Sequence, residues 1–373
     1  ERSENEAKKR EYLRKAGEAA QADYANEAAM SYYERLLPLL PVEEQVDIMR
    51  KLGDVLQLVG KWSEAGDLYQ RALELAEELG DRSAQAWCQT AMGKQLGWKQ
   101  GQFAEASAWL ERARAGFGEL GDQAGVAEVL HIGGVLAAMQ GNWETASALW
   151  EETLAIRQGM GDKPNMARVI SNLGIVARNR GDYGVAHSLH EEALAIRREV
   201  GDKLWIADSL NNLANVLLDQ GIYADARSCL EKAVAIRREV GDRWAIANSL
   251  NNLGNVVRAQ GDYTEAHSLY KQSLTINREL GDPRAIAYLL EDIGGLAAMQ
   301  GQAERALRLF GAAAALRETS GVLLSSTERD KLEQMLGPAR QALGEAAASV
   351  VAEGQAMPLE QAIEYALKSD ETG

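Results

Sequence analysis

Asparagine side chains recur at a spacing of forty residues in the middle of this chain, and they are its most chemically suggestive feature. An amide side chain offers both a hydrogen-bond donor and an acceptor, which suits the backbone of an extended peptide whatever its side chains are. Asparagine is also a poor helix former, so a helical run of asparagines works against local propensity. The recurring positions are Asn172, Asn212 and Asn252, then Asn211 and Asn251, then Asn215 and Asn255. A second interpretation stays open, in which these amides bond carbonyl groups between helices or face solvent.

Other residues that could do chemistry are better explained structurally. Gly116–Gly121 matches the dinucleotide-binding fingerprint by letter, but it follows a helical segment rather than a strand. His187 and His190 have a metal-compatible spacing, yet His190 occupies an aromatic core position in the repeat, and we expect both to be structural. His131 instead falls at the position of Asn211 and Asn251. No catalytic triad or carboxylate pair recurs, so we expect no enzyme, no cofactor and no metal site.

Composition narrows the class of partner. The formal net charge of −15 argues against a general nucleic-acid binder, because phosphate binding needs a cationic face. Cys88 and Cys229 are far apart and lack metal-like spacing. No stretch has the length of a membrane span, and no signal peptide opens the chain. We expect a soluble cytoplasmic protein without membrane contact, and the first residue, Glu1, predicts a fragment of a longer chain.

A repeat of forty residues determines where these side chains must lie. Self-similarity of this length indicates a stacked array, in which each repeat buries its apolar face against its neighbours. A Gly-Asp pair begins at residues 80, 121, 161, 201, 241 and 281. Within one repeat, apolar residues recur at steps of three and four, which predicts two helices. Glycine ends a helix in the left-handed conformation, and the following aspartate can cap the next helix. Each repeat is therefore predicted to be a helix hairpin.

The order Leu253-Gly254, Tyr263, Ala266, Tyr270 resembles the tetratricopeptide repeat. The repeats here are longer than usual and resemble those of bacterial ATPase-type signal-transduction and transcriptional regulators, and of scaffolds that bind spindle-orienting or kinesin-cargo peptides. The resemblance implies an all-α, right-handed superhelical solenoid of tetratricopeptide-type hairpins with a helical C-terminal cap. We expect a divergent helix pair in 1–41, about seven repeats in 42–318 and the cap in 319–373.

The resemblance also implies that the first helix of each repeat lines a concave groove. Carried over by position, the groove residues are Asn172, Asn211, Asn212, Asn215, Asn248, Asn251, Asn252, Asn255, Arg168, Arg178, Arg258, Asp208 and His131. We expect Asp292 and Glu291 to make the groove acidic toward the C-terminus. The arginines Arg197, Arg198, Arg237, Arg238 and Arg157, with Lys232, are expected at solvated helix ends, where cations complement the helix dipole.

These observations predict recognition without catalysis. The leading hypothesis is an interaction scaffold whose groove holds an extended segment of another protein or of its own parent chain. The alternative is a sensor for a small-molecule inducer that gates an upstream ATPase of a transcriptional regulator. Two local expectations complete the interpretation. An extra residue near Gly97-Trp98 predicts a bulge or longer turn, and three short helices are expected at Lys331–Leu343, Glu345–Ala352 and Leu359–Leu367.

Overall fold

The computed structural model describes residues 2–22, 25–320 and 326–368. Within these ranges the chain consists of nineteen α-helices and one short 3₁₀ helix, with no strand. The prediction of an all-α array of helix hairpins is confirmed. The helices fall into two compact units, residues 1–176 and residues 177–373, which divide within one helix.

The N-terminal unit is built from antiparallel helix pairs joined by short turns. Neighbouring helices in the sequence pack against each other along the unit. Its elements are α1 (Arg2–Ala22), α2 (Asn26–Leu36), the 3₁₀ helix (Leu37–Leu39), α3 (Val42–Leu58), α4 (Trp62–Glu78), α5 (Arg82–Gln100), α6 (Phe103–Leu120), α7 (Gln123–Met139), α8 (Trp143–Met160) and the first part of α9 (Lys163–Asn179).

The C-terminal unit continues the same pattern and then changes. After helix α10 and three regular hairpins, three further helices pack on the last ones rather than extending the array. Its elements are the end of α9, then α10 (Tyr183–Val200), α11 (Lys203–Asp219), α12 (Tyr223–Val240), α13 (Arg243–Ala259), α14 (Tyr263–Leu280), α15 (Pro283–Met299), α16 (Ala303–Ser320), α17 (Ser326–Leu343), α18 (Ala346–Gln355) and α19 (Leu359–Leu367).

The Gly-Asp pairs form the turns between hairpins as expected. Every glycine of these pairs has a positive φ, between 66° and 82°. Each aspartate side chain then accepts a hydrogen bond, 2.9–3.3 Å long, from a backbone N–H in the first turn of the next helix. The six aspartates are Asp81, Asp122, Asp162, Asp202, Asp242 and Asp282. One short sequence element therefore ends one helix and begins the next.

The two helices of a hairpin approach closely because a glycine faces a large ring. A Cβ atom added to Gly254 would lie 2.6 Å from Cε1 of Tyr270, sixteen residues later. The pairs Gly17 with Tyr33, Gly53 with Tyr69, and Gly134 with Trp150 have the same spacing, with distances of 2.4–2.6 Å. At the equivalent positions of another hairpin stand Ala214 and Leu230, both fully buried. A larger residue on the first helix is thus matched by a smaller one on the second.

The three helices after the array differ modestly from expectation. The first begins at Ser326 rather than Lys331, and the second runs to Gln355, while residues 321–325 lie outside the described ranges. The second packs tightly on α16, because Cβ atoms added to Gly311 or Gly354 would lie within 2.2 Å of backbone oxygens on the facing helix. The division into a helix pair, an array and a cap stays a prediction.

The expectation of a bulge or longer turn near Gly97-Trp98 is wrong. Helix α5 runs unbroken from Arg82 to Gln100 and is longer than the 17-residue helices α3 and α7, and Gly101 ends it with φ of 60°. The extra residue lengthens the helix, because a helix that gains a residue keeps its hydrogen bonds whereas a bulge would lose one.

The glycine–ring pairing predicts that the effect of Gly254→Ala on the free energy of unfolding reverses its sign when Tyr270 is replaced by leucine. Gly254→Ala should lower the free energy of unfolding, because overpacking against the Tyr270 ring costs roughly 1–3 kcal/mol and the better helix propensity of alanine returns at most about 1 kcal/mol. In a Tyr270→Leu background the pair becomes Ala with Leu, as at Ala214 and Leu230, and the same substitution should be stabilising. Urea unfolding of the four variants measures this coupling. An equal effect of Gly254→Ala in both backgrounds would show that the pairing does not limit the approach of the helices.

Candidate functional site

The asparagines of α13 form one polar face and bond to each other and to neighbouring helices. The Nδ2 group of Asn252 donates to Oδ1 of Asn211 at 3.1 Å and to Oδ1 of Asn248 at 3.4 Å. Asn251 donates to a carboxylate oxygen of Asp292 at 2.8 Å, and Oδ1 of Asn255 accepts a bond from the Tyr270 hydroxyl at 2.8 Å. Both interpretations of these amides therefore have a physical basis, since the amides crosslink helices α11, α13, α14 and α15 while lying on a common face.

That face is the wall of a cavity in the C-terminal unit. The cavity has a volume of about 680 Å³. Six of the predicted groove residues line it, namely Arg178, Asn215, Asn248, Asn251, Asn252 and Asn255. These six residues lie on the first helices of three repeats, α9, α11 and α13, and their side chains line the same cavity.

Four other predicted residues of this unit, which are Asn211, Asn212, Asp208 and Arg258, do not line the cavity. Asn211 is buried and accepts bonds from Asn252 and from Ser249. Asp208 pairs with Arg237, and Arg258 pairs with Asp292 at 3.5 Å. Asn212 is half-buried.

The remaining three predicted residues belong to the N-terminal unit. Arg168 forms an ion pair with Glu128 at 2.7 Å, and Asn172 is half-buried. His131 is buried, and its backbone carbonyl accepts a bond from the Trp150 indole at 3.1 Å. Burial lowers the pKa of His131 to about 4, with a further contribution from Arg168, so the ring is neutral at pH 7.

Residues that the sequence interpretation missed complete the cavity. They come from the end of α11, the start of α13, α14, the turn before α15 and α15 itself, and they are Leu218, Trp244, Ser273, Asn277, Asp282, Arg284, Ala285, Tyr288 and Leu289. Ser273 and Asn277 lie on a second helix of a hairpin, whereas only first helices were expected to contribute. Trp244 is 58% exposed, which is unusual for a side chain of this size, and an exposed tryptophan in the repeat alignment is the signal that could have drawn attention to it.

The expectation of solvated arginines is wrong for one residue in each pair. Arg157, Arg197 and Arg237 are about 95% buried, while Arg198, Arg238 and Lys232 are exposed as expected. The buried guanidinium of Arg197 donates to the Trp205 carbonyl at 3.0 Å and to the Ser209 hydroxyl at 2.6 Å. Arg237 donates to the Ala245 carbonyl at 2.8 Å and to Ser249. These residues lie at the junction of successive hairpins, because the extended second helix places the arginine against the first turns of the next one.

Glu291 does not contribute to an acidic groove. It is buried against Arg317, which donates two hydrogen bonds of 2.7 Å to its carboxylate, and the Tyr288 ring lies 4.1 Å from the same guanidinium. The helix directs Glu291 toward Arg317 and Asp292 toward the cavity, so only Asp292 lines the cavity.

The carboxyl group of Asp292, which lines the cavity, has a raised pKa. Burial raises its pKa from 3.8 to about 6 and the neighbouring Glu291 adds to this, whereas Arg258 and the hydrogen bonds to the carboxylate oppose it. The charge of the cavity wall therefore changes near pH 6, at the carboxylate that accepts the bond from Asn251.

The described ranges hold neither a metal-binding cluster nor a membrane-spanning helix. No group of three or more His, Cys, Asp or Glu residues in them is arranged to hold a metal ion. None of their helices is long and apolar enough to cross a membrane.

The repeat geometry, with its glycine–ring pairs and Gly-Asp turns, agrees with a family model. The tetratricopeptide repeat model matches residues 44–119, 125–199, 205–279 and 246–319. The chain belongs to the tetratricopeptide repeat family. No curated protein matches the sequence significantly.

Solved structures share the fold at low sequence identity. The quorum sensor NprR from B. thuringiensis, in its apo form, is 13% identical with a TM-score of 0.63, over 83% of this chain and 87% of that one. A signal transduction ATPase with numerous domains, which carries a tetratricopeptide repeat sensor and comes from Pyrococcus horikoshii, is 16% identical with a TM-score of 0.61, over 83% of this chain but only 46% of that one. The Rap conjugation gene regulator of plasmid pLS20, in complex with the Phr* peptide, is 15% identical with a TM-score of 0.58, over 71% and 73%. At these identities the similarity shows the fold alone.

The burial of one arginine in each pair predicts that substitutions at two adjacent positions lower the free energy of unfolding by very different amounts. Arg237→Ala removes hydrogen bonds from a charged donor and should lower the free energy of unfolding by roughly 1.5–3 kcal/mol. Arg238→Ala, one residue away and exposed, should change it by no more than about 0.5 kcal/mol. Urea denaturation followed by circular dichroism measures both. Similar small changes would mean that the buried guanidinium does not hold the hairpins together.

The raised pKa of Asp292 predicts a pH-dependent contribution to stability. The folded protein binds this proton more tightly than the unfolded chain, so the stabilisation is present below pH 4 and is lost as the pH rises through about 6. Asp292→Asn mimics the protonated acid and lacks this dependence. The free energy of unfolding of the variant, relative to the natural protein, should therefore rise between pH 4 and pH 6. A constant difference across that interval would contradict the raised pKa.

Proposed function

We propose that this chain is a non-catalytic recognition module, and that the cavity bounded by α11, α13, α14 and α15 binds an extended peptide segment. The segment belongs to another protein or to another part of the parent chain. The observation that carries the proposal is the convergence of Asn248, Asn251, Asn252 and Asn255 on the wall of one cavity.

The chemistry of the wall suits a peptide backbone. A carboxamide carries two donor hydrogens and an acceptor oxygen, so each one can serve both a neighbouring helix and a ligand amide. Asn251 illustrates this, because its bond to Asp292 uses one of its two amide hydrogens. A series of such groups along one helix recognises repeated amides without requiring particular side chains.

Size and similarity support the same reading. The volume of about 680 Å³ lies within the range of roughly 300–1,000 Å³ found for ligand pockets. Among structures with this fold, the Rap regulator of pLS20 is in complex with a peptide, and NprR is a quorum sensor. A tetratricopeptide array that holds a peptide in this way would act as a scaffold or sensor in a signalling protein.

The alternative is a small-molecule sensor. The cavity volume also fits an inducer, and a sensor made of these repeats is present in the ATPase from Pyrococcus horikoshii. In that case the ligand would gate a module elsewhere in the parent chain.

Selection and titration test the proposal. We expect a phage-displayed random peptide library, selected on the purified protein, to yield peptides that bind in the cavity. For such a peptide, Asn248→Ala/Asn251→Ala should raise Kd by about 5- to 140-fold, since two lost hydrogen bonds cost roughly 1–3 kcal/mol together. Isothermal titration calorimetry measures this change.

The matched control removes two exposed amides, Gln260→Ala/Gln272→Ala, and should leave Kd unchanged. Equal affinity of the asparagine variant and the control would contradict binding at the asparagine face. If no peptide is selected but a compound from a metabolite library raises the melting temperature, the small-molecule sensor replaces the proposal.

A further inference from the structure

One position interrupts the series of buried arginines at the junctions of the hairpins. Arg157, Arg197, Arg237 and Arg317 are spaced by forty residues or a multiple of it, and all are about 95% buried. The position between the last two is occupied by Asn277, which is also buried. A much shorter, uncharged side chain therefore stands where the pattern places a guanidinium.

The groups that surround a guanidinium at this position are known from the complete junctions. Arg197 and Arg237 each donate to the backbone carbonyl eight residues later, at Trp205 and Ala245. Arg237 also pairs with Asp208, which lies twenty-nine residues before it.

The junction at Arg157 adds a third acceptor. Its guanidinium pairs with Asp162, five residues later, at 2.9 Å, and with Glu128, twenty-nine residues before, at 3.3 Å. The carboxylate that caps the next helix is thus also within reach of the buried arginine.

Counting the same intervals from Asn277 gives Asn248, Asp282 and Ala285. All three line the cavity. The side-chain oxygen of Asn248, the carboxylate of Asp282 and the carbonyl of Ala285 are the acceptors that a guanidinium at this junction would meet. Leu289, also in the lining, stands where the complete junctions have Ser209 and Ser249.

Asn277 does not reach these acceptors. Its Nδ2 group donates to the Ser273 carbonyl at 3.0 Å and to the Ser273 hydroxyl at 3.4 Å, one turn back on its own helix. The space that an arginine fills at the other junctions is consequently part of the cavity here.

We propose that this part of the cavity, the subsite formed by Asn248, Asn277, Asp282 and Ala285, binds the guanidinium of an arginine side chain in the ligand. The inference rests on the proposed peptide-binding function and adds a specificity to it. The ligand then supplies the cation that the chain supplies at its other junctions.

A planar guanidinium fits this subsite better than an ammonium group. Its fork of five donors can satisfy a carbonyl, an amide oxygen and a carboxylate at once, and its face packs on aromatic rings. Arg197 lies 5.1 Å from the Trp205 ring and Arg317 lies 4.1 Å from Tyr288, so such stacking is used at other junctions. The indole of Trp244 already donates to Asp282 at 3.3 Å, which places an aromatic ring beside the acceptor.

The arginines in and beside the wall are either paired with other acidic residues or exposed to solvent. Arg178 pairs with Asp219 at 2.5 Å, and Arg258 pairs with Asp292 at 3.5 Å. Arg284 lines the cavity as well, and its side chain is exposed to solvent. The cavity wall thus keeps Asp282 available to a cation that enters with a ligand.

Two small probes test the inference directly. Nα-acetyl-arginine N-methylamide and its citrulline counterpart have nearly the same shape, but only the first is charged. We expect the arginine probe to perturb the amide resonances of α14 and α15 in an NMR titration, with an affinity at least about tenfold higher than that of the citrulline probe. Equal binding of the two probes, or perturbations elsewhere, would overturn the inference.

A second test places an arginine at the junction that Asn277 occupies. Asn277→Arg should fill the subsite and abolish binding of the arginine probe, while Gln272→Arg adds the same charge at an exposed position of the same helix and should not. Persistent binding to Asn277→Arg would overturn the subsite. The citrulline comparison on the natural protein decides the matter even if Asn277→Arg does not fold.

Peptide selection separates the inference from the function on which it rests. If selected peptides bind the asparagine face and lose no affinity when each arginine is replaced by citrulline, the subsite is wrong and the peptide-binding function stands. If the arginine probe binds but no peptide is selected, the subsite stands and the peptide-binding function fails.

Discussion

A guanidinium buried between successive hairpins is the contact on which the packing of this array depends most. Arginine stays charged at all accessible pH values, so burial is tolerated only where acceptors surround it. The chain provides them from the next hairpin, as the carbonyls of Trp205 and Ala245 and the hydroxyls of Ser209 and Ser249. Because these acceptors lie on the first turns of the next helix, the arginine fixes how one hairpin meets the following one. Where Asn277 stands in place of the arginine, no side chain of that length fills the junction, and Asn277 lines a cavity.

Within each hairpin a different constraint applies. The glycine of the first helix lets the ring of the second approach to a distance that any Cβ atom would block. The ring hydroxyl then serves polar groups on the first helix, as Tyr270 does for Asn255 and Tyr69 does for Asp54. Close packing and polar satisfaction are thus coupled through one side chain, which explains why the hairpins can carry a polar face so near their core.

The asparagines connect these constraints to the site. Each costs helix propensity, and several recover part of that cost through bonds to neighbouring helices, as Asn251, Asn252 and Asn255 do. Asn211 is buried and structural, whereas Asn248 is exposed at the cavity, and Asn252 bonds to both. A gradient from buried to cavity-lining amides therefore exists on two adjacent helices, and Asn277 lines the same cavity.

The sequence by itself determined the helices, their turns and the repeat, because these depend on local signals. Gly-Asp pairs end and begin helices through backbone conformation and capping, and the spacing of Gly254 and Tyr270 is visible in the letters. The same spacing also selected six residues of the cavity wall, since residues forty apart occupy equivalent places on neighbouring helices. The tertiary structure decided what spacing cannot express, namely which arginine of each pair turns inward, which of Glu291 and Asp292 faces the cavity, and where a second helix contributes to the wall. Those outcomes depend on partners that lie eight to forty-one residues away in the chain. The sequence around a helix-end arginine is the same whether its side chain meets water or the first turn of the next hairpin.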